Sequence, residues 1–338
     1  MARKIRWLRP HLLYESTFRT VDRQFLFKPN HHPQNPLLEQ SCPLESLDPN
    51  NDIIPKPSVI NVIGSSIGRA LQEYPIQIHW YESNINHLHV GFSFDRAQMG
   101  NTAAFHRDSK SLIARELNRT WGREGDFFTA RSKIHPCLDD ESAERHLLYA
   151  LTNPVKDGLV EEVSTSPLFS TYHFQAKRKP LRFWYIDWEA YYLAGGARKK
   201  KHRIKDYLKW VEWACTPLPR HEKMTVPQRQ TWVRKQVREI ETAKKKAQRD
   251  PGNSFLGKAG LFALNPRQRP RHPKTSGRDP LCHAATPERV KQYKKEWREF
   301  LNRYIQASAD YRNGYFHREF PEGSYRPPLV TVYYASAL

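Results

Sequence analysis

The sequence predicts an α+β fold in which helices pack on an antiparallel sheet. Residues 76–80 and 88–92 alternate apolar and polar positions on either side of a turn-like segment, residues 82–86, which is the pattern of a β-hairpin. Segments with near-helical spacing lie before and after this hairpin. The resulting order of strand, helix, hairpin, helix, strand and helix favours an antiparallel sheet over a parallel, doubly wound one.

The elements before the hairpin are a strand, a loop and a helix. A strand-like run covers residues 11–27, and residues 28–57 are rich in Pro and Asn, as is typical of a surface loop. Apolar residues recur at near-helical spacing in residues 58–74, and Ser58 is a suitable N-cap. We therefore expect a first helix immediately before the hairpin.

Three further elements complete this unit. Residues 101–121 have the spacing of a second helix, residues 127–134 that of a short strand, and residues 142–153 that of a third helix. The composition changes after about residue 175. We therefore place the first domain at residues 1–175.

The second half of the chain is more basic. Residues 226–249 and 288–312 have the pattern of long polar helices, and residues 265–279 form a basic, Pro-rich linker. Residues 176–338 are therefore interpreted as a basic, mainly helical C-terminal extension with a DNA-binding or accessory role.

The composition favours a nucleic-acid partner. The chain has 338 residues, of which 38% are hydrophobic, so it can bury a sizeable core and does not have the composition of a disordered protein. Lys and Arg outnumber Asp and Glu by 55 to 35, giving a formal charge of +20. Such a charge favours a polyanionic partner, although solubility alone also produces basic proteins.

The sequence gives no indication of a membrane partner. No segment approaches the ~20 apolar residues of a membrane helix. The N-terminal residues, MARKIRWLRPHLLY, lack the apolar core of a signal peptide. We expect a cytoplasmic, nucleoid-associated protein.

The cysteines have no pattern of a metal or redox site. Cys42, Cys137, Cys215 and Cys282 are far apart in the sequence and are expected to be reduced. Cys282 and His283 are adjacent and are not spaced as ligands of one ion. The sequence therefore assigns this pair no chemistry.

A His-x-His pair lies in the second strand of the predicted hairpin. Because side chains alternate along a strand, His87 and His89 share one face, and Leu88 and Val90 point to the other. Two neutral imidazoles on one face can hold a divalent ion. Chance alone predicts roughly 0.7 such pairs at this histidine content, so the pair by itself does not establish a metal site.

The helix predicted at residues 142–153 has a polar face. At about 100° per residue, His146, Tyr149 and Asn153 fall in one narrow sector, opposite several leucines. A phenol and a carboxamide then lie side by side, with His146 as a nearby candidate proton acceptor. The pattern also fits a tyrosine at the margin of the core and an Asn153 that ends the helix before Pro154, so both interpretations stay open on this segment alone.

Two motifs together resemble those of a known family. Asn86-His-Leu-His89 is followed later in the chain by Tyr149-x-x-x-Asn-Pro-Val-Lys-Asp-Gly-Leu-Val160. This order and spacing resembles the REP-associated tyrosine transposases, a branch of the single-tyrosine HUH endonucleases. Residues 127–131 and 164–172 also resemble the segments that precede and follow the tyrosine helix in that family, so the resemblance covers roughly residues 8–175.

The resemblance implies both a fold and an active centre. The fold is the HUH endonuclease fold, a ferredoxin-like antiparallel sheet with packed helices. Tyr149 takes the position of the nucleophile, and His87 and His89 take those of metal ligands. Asn153 takes the position of a third ligand, where many insertion-sequence relatives have Gln. The implied cofactor is Mg²⁺ or Mn²⁺, and a donor set without thiolates suits these ions better than zinc.

The implied activity is that of a transposase. Such an enzyme nicks and joins single-stranded DNA at a hairpin or palindrome, as in transposition and DNA recombination at REP elements. The implied products are a 5′-phosphotyrosine and a free 3′-hydroxyl. Exchanging one phosphodiester for another needs no ATP, and the sequence contains no G-x-x-x-x-G-K-[ST] loop, which counts against a helicase-linked replication initiator.

Basic residues are expected to hold the DNA by its phosphates. The candidates are Arg131, Lys133, Lys156, Lys199, Lys200 and Lys201. Two other functions stay open, namely a domesticated, catalytically silent DNA-binding protein and a nuclease that cuts without rejoining. Both a monomer and a homodimer are compatible with the sequence.

Overall fold

A computed structural model describes most of the chain, namely residues 5–30, 57–129, 131–177, 181–196, 203–247, 254–270 and 280–327. Most of the loop predicted at residues 28–57 and most of the linker predicted at residues 265–279 lie outside the described residues, as do Lys199, Lys200 and Lys201. Within the described ranges, no helix combines the length and apolarity that a membrane crossing requires.

The described strands and helices alternate through the first half of the chain, and long helices dominate the second. The strands are β1 (Leu13–Arg19), β2 (Gln77–Ser83), β3 (His87–Ser93), β4 (Lys133–Cys137), β5 (Leu181–Ile186) and β6 (Leu208–Trp213). The helices are α1 (Val59–Glu73), α2 (Asn101–Trp121), α3 (Asp140–Lys156), α4 (Tyr172–Lys177), α5 (Trp188–Leu193), α6 (Val226–Ala247), α7 (Gly257–Ala263) and α8 (Pro287–Arg312).

Four strands form an antiparallel sheet in the order β2-β3-β1-β4. The hairpin β2–β3 pairs with β1 through β3, and β1 pairs with β4 on its other side. Because α1 connects β1 to β2 and α2 connects β3 to β4, the connectivity is that of the split βαβ arrangement. The prediction of an α+β fold with an antiparallel sheet and packed helices is confirmed.

The strongest sequence signals gave the correct elements. The Ser58 hydroxyl accepts a hydrogen bond of 3.0 Å from the Asn61 N–H, so α1 begins at the predicted cap. α2 has the predicted bounds and ends at Gly122, whose φ of 56° lies in the left-handed region that glycine tolerates. The two long polar helices are present as α6 and α8.

The strand predicted at residues 127–134 is wrong in position. The strand there is β4, which starts at Lys133, and Phe127 and Phe128 precede it in irregular backbone. The Phe127 and Phe128 rings lie 5.4 and 6.1 Å from the Phe27 ring. Their apolar character therefore reflects packing in the core, and only an isolated bridge joins Phe128 to Thr20.

α3 continues through Pro154, so Asn153 does not end the helix. The proline removes one backbone donor to the preceding turn, and near the end of a helix this loss disrupts little else. The Asp157 N–H donates to the Asn153 carbonyl at 2.9 Å, and the side chain of Val155 is fully buried. Asn153 is therefore a helical residue on the same face as Tyr149.

The two faces of the sheet have different roles. Leu88 and Val90 pack with α1 and α2 in the main hydrophobic cluster. The opposite face carries His87 and His89 and is covered by α3, which packs through Leu147 and Leu151 against Trp80. The alternation of β3 thus separates an apolar face, which forms the core, from a face that carries the imidazole side chains.

Parts of residues 176–338 complete the core of the first half. β5 and β6 pair and pack on α1, where Phe183 and Trp213 join the main cluster. α6 packs on α3 and α4 and buries Val233 and Val237 in the second cluster. The boundary predicted at residue 175 stays a prediction, and substitutions test the function of this chain better than a truncation there.

We expect the stability of the fold to depend on pH through Glu82 of β2. This carboxylate is buried and accepts hydrogen bonds from the N–H and hydroxyl of Thr171 at 2.9 and 2.5 Å. Burial, the dominant effect, raises its pKa from 4.5 to about 7 in spite of these hydrogen bonds. A raised pKa in the folded state stabilises the fold at low pH, and that contribution is lost as the pH rises from about 4.5 to about 7.

Glu82→Gln should therefore raise the free energy of unfolding by about 3 kcal/mol at pH 8 and change it little near pH 4.5, because glutamine cannot ionise. Urea unfolding of both proteins at the two pH values measures this difference. Glu212→Gln, at an exposed position of β6, is the matched control. An equal effect of Glu82→Gln on the free energy of unfolding at both pH values would contradict a raised pKa of Glu82 in the folded state.

Candidate active site

The imidazoles of His87 and His89 lie side by side on the face of the sheet that α3 covers. Their ring centroids are 4.8 Å apart, and His89 is 6% exposed. β3 places them there because its alternate residues belong to the apolar cluster on the other face. Burial, with smaller effects of His89 and Arg19, keeps the pKa of His87 well below its ordinary value. His87 is therefore neutral at physiological pH, as a metal ligand must be.

Each imidazole has one nitrogen fixed by an oxygen acceptor. His89 Nδ1 lies 2.7 Å from Glu15 Oε1, and His87 Nδ1 lies 2.7 Å from Asn86 Oδ1. Burial raises the pKa of Glu15, but the neighbouring imidazoles of His135, His283 and His89 overcome this effect and keep the pKa well below its ordinary value. The carboxylate can only accept, so Nδ1 of His89 carries a proton and donates it to Glu15, and Nε2 is the nitrogen directed away from Glu15.

Tyr149 projects from α3 beside this pair. Its ring is 5.5 Å from that of His89, and the side chain is 43% exposed, so a large substrate can reach the hydroxyl. Lys156, seven residues and about two helical turns after Tyr149, places its Nζ 5.0 Å from the centre of the tyrosine ring. The start of the helix is fixed by its N-cap Asp139, whose carboxylate accepts a hydrogen bond from the Ser142 N–H at 2.8 Å.

The phenol of Tyr149 is not activated by its protein surroundings alone. Partial burial raises its pKa, as do the negative charges of Asp157 and Glu15, while a hydrogen bond with Asn153 and the charge of Arg19 oppose them. A phenol with a raised pKa is almost entirely protonated at neutral pH. It therefore needs a further positive charge or a proton acceptor before it can act as a nucleophile.

Asn153 joins the tyrosine to the histidine pair. Its Nδ2 lies 3.3 Å from His89 Nε2, and its Oδ1 accepts a hydrogen bond from Asn84 Nδ2. Asn84 is held in this orientation because its Oδ1 accepts from the Ile85 N–H at 2.6 Å and its Nδ2 also donates to Asp157 at 2.9 Å. The amide nitrogen of Asn153 therefore faces His89 in this structure.

The donor set fits a divalent ion at the two imidazoles. Both Nδ1 atoms are oriented by oxygen acceptors, which is the usual support of metal-ligating histidines, so the Nε2 atoms are the ones that could bind an ion. The Nε2 atom of His89 now contacts Asn153 Nδ2, a contact that the ion would replace. Asn153 would become a ligand through Oδ1 only after its amide turns over and the contact with Asn84 breaks. The rings of His87 and His89 are thus oriented as metal ligands, whereas Asn153 presents its amide nitrogen to the site and its Oδ1 to Asn84.

The other residues singled out from the sequence lie around this site rather than in it. Arg131 and Lys133 are exposed at the start of the edge strand β4, and Lys156 is half-buried beside Tyr149. The His146 ring lies 6.4 Å from the tyrosine ring and 3.7 Å from the ring of His283, to which it is tilted by 38°. The structure brings His87, His89, Tyr149 and Asn153 together, as expected from their motifs.

Three residues of this centre could not be selected from the sequence. Glu15 orients His89, Asn84 orients Asn153, and the charge of Arg19 acts on both His87 and Tyr149. Glu15 and Arg19 lie on β1, and their role follows from its register with β3, which pairs Arg19 with His87 and Thr17 with His89. Asn84 lies in the hairpin turn, where asparagine is common for conformational reasons alone.

Comparison with known proteins gives a remote structural likeness. No protein-family model and no curated protein matches the chain. Among solved structures, the chain is similar to one described as "Structure of the REP associates tyrosine transposase bound to a REP hairpin", with 17% sequence identity and a TM-score of 0.35. The match covers 54% of this chain and 90% of that chain. The chemistry of the site is accordingly derived from its own residues.

Proposed function

We propose that this protein is a metal-dependent single-stranded DNA endonuclease and strand transferase of the single-tyrosine HUH type, related to the REP-associated tyrosine transposases. The observation that carries the proposal is the position of Tyr149. An exposed phenol lies 5.5 Å from the ring of a buried histidine, His89, whose Nε2 is directed by Glu15 to act as a ligand. A tyrosine kept for packing alone needs no such pair of oriented imidazoles.

In the proposed reaction, Tyr149 Oη attacks the phosphorus of a phosphodiester. The new bond is P–Oη and the bond that breaks is P–O3′, so a 5′-phosphotyrosine and a free 3′-hydroxyl result. The phenolic proton is lost to solvent, and the departing 3′-oxygen gains a proton. Because one phosphodiester replaces another of similar energy, the reverse attack by a 3′-hydroxyl rejoins the strand without ATP.

His87 and His89 would hold the divalent ion, with Asn153 as the proposed third ligand. When bound, Mg²⁺ or Mn²⁺ would withdraw charge from the scissile phosphate and favour the ionised phenol. The chain itself contributes position. Glu15 keeps the His89 ring fixed, and α3 holds Tyr149 and Asn153 on one face. The ammonium of Lys156, beside the tyrosine ring, is placed to contact the phosphate.

The proposal is tested with an end-labelled single-stranded DNA hairpin, the full chain and Mg²⁺ or Mn²⁺. A strand transferase gives a protein-linked label that protease digests, and also a rejoined product when an acceptor 3′-hydroxyl is added. A nuclease that cannot rejoin gives cut DNA alone. Binding without either product would identify a catalytically silent DNA-binding protein and contradict the proposal.

Arg131 and Lys133 are proposed to contact DNA phosphates from the exposed start of β4. Replacing both with Gln should reduce the slope of log K against log salt concentration by about 1.4 for single-stranded DNA, because about 0.7 counterions are released for each phosphate contact. Fluorescence anisotropy across a salt series measures the slope.

The matched control for this pair is Arg107→Gln with Arg115→Gln. Both arginines are exposed on α2, which packs on the opposite face of the sheet from the histidines. Equal losses of slope in the two double variants would show that any surface charge has the same effect, and would remove Arg131 and Lys133 from the binding surface.

A further inference from the structure

A second group of metal-ligating side chains lies on the same face of the sheet, under the N-terminal half of α3. Glu15 of β1 and His135 of β4 are register partners, so both side chains point to this face, and each is 5% exposed. His283 reaches the same point from the segment that precedes α8. One ligand atom from each of the three residues lies within 4.8 Å of the others.

The three side chains are close without being directly hydrogen-bonded at normal distance. Glu15 Oε2 lies 3.8 Å from His135 Nδ1 and 3.8 Å from His283 Nε2. His283 Nε2 is buried and has no hydrogen-bond partner. A buried polar atom without a partner is unfavourable in water-excluded surroundings, so an atom directed at a carboxylate across this gap indicates a group that is held between them.

The backbone around His283 is tied to the edge of the sheet. The His283 N–H donates to the Pro136 carbonyl at 2.8 Å, and the Leu138 N–H donates to the His283 carbonyl at 2.9 Å. The Ala285 N–H donates to Asp139, the N-cap of α3, at 2.9 Å. The imidazole is therefore positioned by a fixed backbone, 148 residues after the strand that carries its partner His135.

We propose that Glu15, His135 and His283 form a binding site for Zn²⁺ that is separate from the His87–His89 pair. Two imidazoles and one carboxylate are a common zinc donor set, and Mg²⁺ would instead select oxygen ligands. Zinc bonds of about 2.0–2.1 Å in a tetrahedral site put ligand atoms about 3.3 Å apart. Glu15 Oε2 needs to approach each nitrogen by only about half an ångström from its present 3.8 Å, and the two nitrogens already lie within 4.8 Å of each other.

The site would link the segment before α8 to the catalytic face. Glu15 contributes Oε2 to the zinc site and Oε1 to His89 Nδ1, so the two centres share one carboxylate. The His146 ring of α3 lies 3.7 Å from that of His283 and so borders the site. A zinc ion here would hold Glu15 in the orientation that the His89 ring requires, and its removal would loosen the segment around His283.

The experiment measures zinc content and thermal unfolding of the full chain after metal removal and dialysis against Zn²⁺. The His87→Ala variant keeps all three proposed ligands and should retain one equivalent of zinc and a higher melting temperature with zinc than without. His283→Gln, made in the His87→Ala background so that the histidine pair cannot hold the ion, should lower zinc affinity at least about 100-fold and lose the zinc-dependent shift of the melting temperature. His283→Cys supplies a thiolate ligand instead and should restore binding under reducing conditions.

The His87→Ala chain must itself bind zinc, so failure of that variant to take up an equivalent overturns the proposal, whether or not His283→Gln folds. Such a failure would place the ion at the histidine pair. Retention of zinc by a folded variant that carries both His87→Ala and His283→Gln also overturns the proposal. Restoration by His283→Cys distinguishes ligation from a structural role of the imidazole, which cysteine could not fulfil.

Discussion

Replacing both His87 and His89 with alanine should abolish DNA cleavage while leaving hairpin binding nearly intact. The two Nε2 atoms are the proposed ligands of the divalent ion, and the two rings lie side by side, so the double variant removes both ligands. Losing electrostatic stabilisation of this kind slows catalysis by at least about 1000-fold. Binding depends mainly on phosphate contacts, which lie elsewhere, so the dissociation constant should change little.

Single-turnover cleavage of a labelled hairpin, with and without EDTA, measures the effect. The control is His11→Ala with His317→Ala, which also removes two imidazoles, both of them exposed. Because His89→Ala removes one of the two donors to Oε1 of buried Glu15 and leaves only the Thr17 hydroxyl, circular dichroism must first show that the variant is folded. His87→Ala, at a half-buried position, provides a milder test. Unchanged cleavage in the folded double variant or in EDTA would rule out the metal role.

The part of the fold that follows from local periodicity was predicted well. α1, α2 and the β2–β3 hairpin each have a strong apolar pattern and a cap or turn that marks an end. The predicted position of β4 was too early in the chain because Phe127 and Phe128 look like strand residues but are apolar because they pack in the core. The strand itself contains Pro136. Proline is unusual in a strand, and β4 tolerates it because β4 is the last strand of its sheet, and on its outer edge His283 pairs with the Pro136 carbonyl rather than with a Pro136 N–H.

The candidate site also has a part that follows from local periodicity and a part that depends on tertiary packing. His87 and His89 share a face by the period of a strand, and Tyr149 and Asn153 by the period of a helix, so sequence alone could group each pair. The contact between the pairs, 3.3 Å from Asn153 to His89, depends on how α3 lies on the sheet.

His283 shows the limit of sequence reasoning most clearly. Its adjacency to Cys282 gave no reason to assign it a role, and its position next to Glu15 arises from a backbone pairing with residues 136–138 that no local pattern encodes. The alternation of β1 places Glu15 on the face opposite the apolar cluster, but a glutamate on such a face could equally well be exposed to solvent. Only the register of β1 between β3 and β4 places it between two groups of histidines.

Tyr149→Phe should eliminate the covalent protein–DNA adduct and leave the fold and DNA binding intact. The substitution removes one hydroxyl and the hydrogen bond with Asn153, for a loss of about 1 kcal/mol of stability. Another tyrosine cannot easily replace it, because Tyr172 is 6% exposed and lies beyond the turn at Gly158. Wild type and variant are incubated with end-labelled hairpin DNA and Mg²⁺ or Mn²⁺ and resolved on a denaturing gel, with the exposed Tyr315→Phe as control. Wild type and Tyr315→Phe should give a protease-sensitive adduct and Tyr149→Phe none, whereas an equal adduct from Tyr149→Phe would assign the nucleophile to another residue.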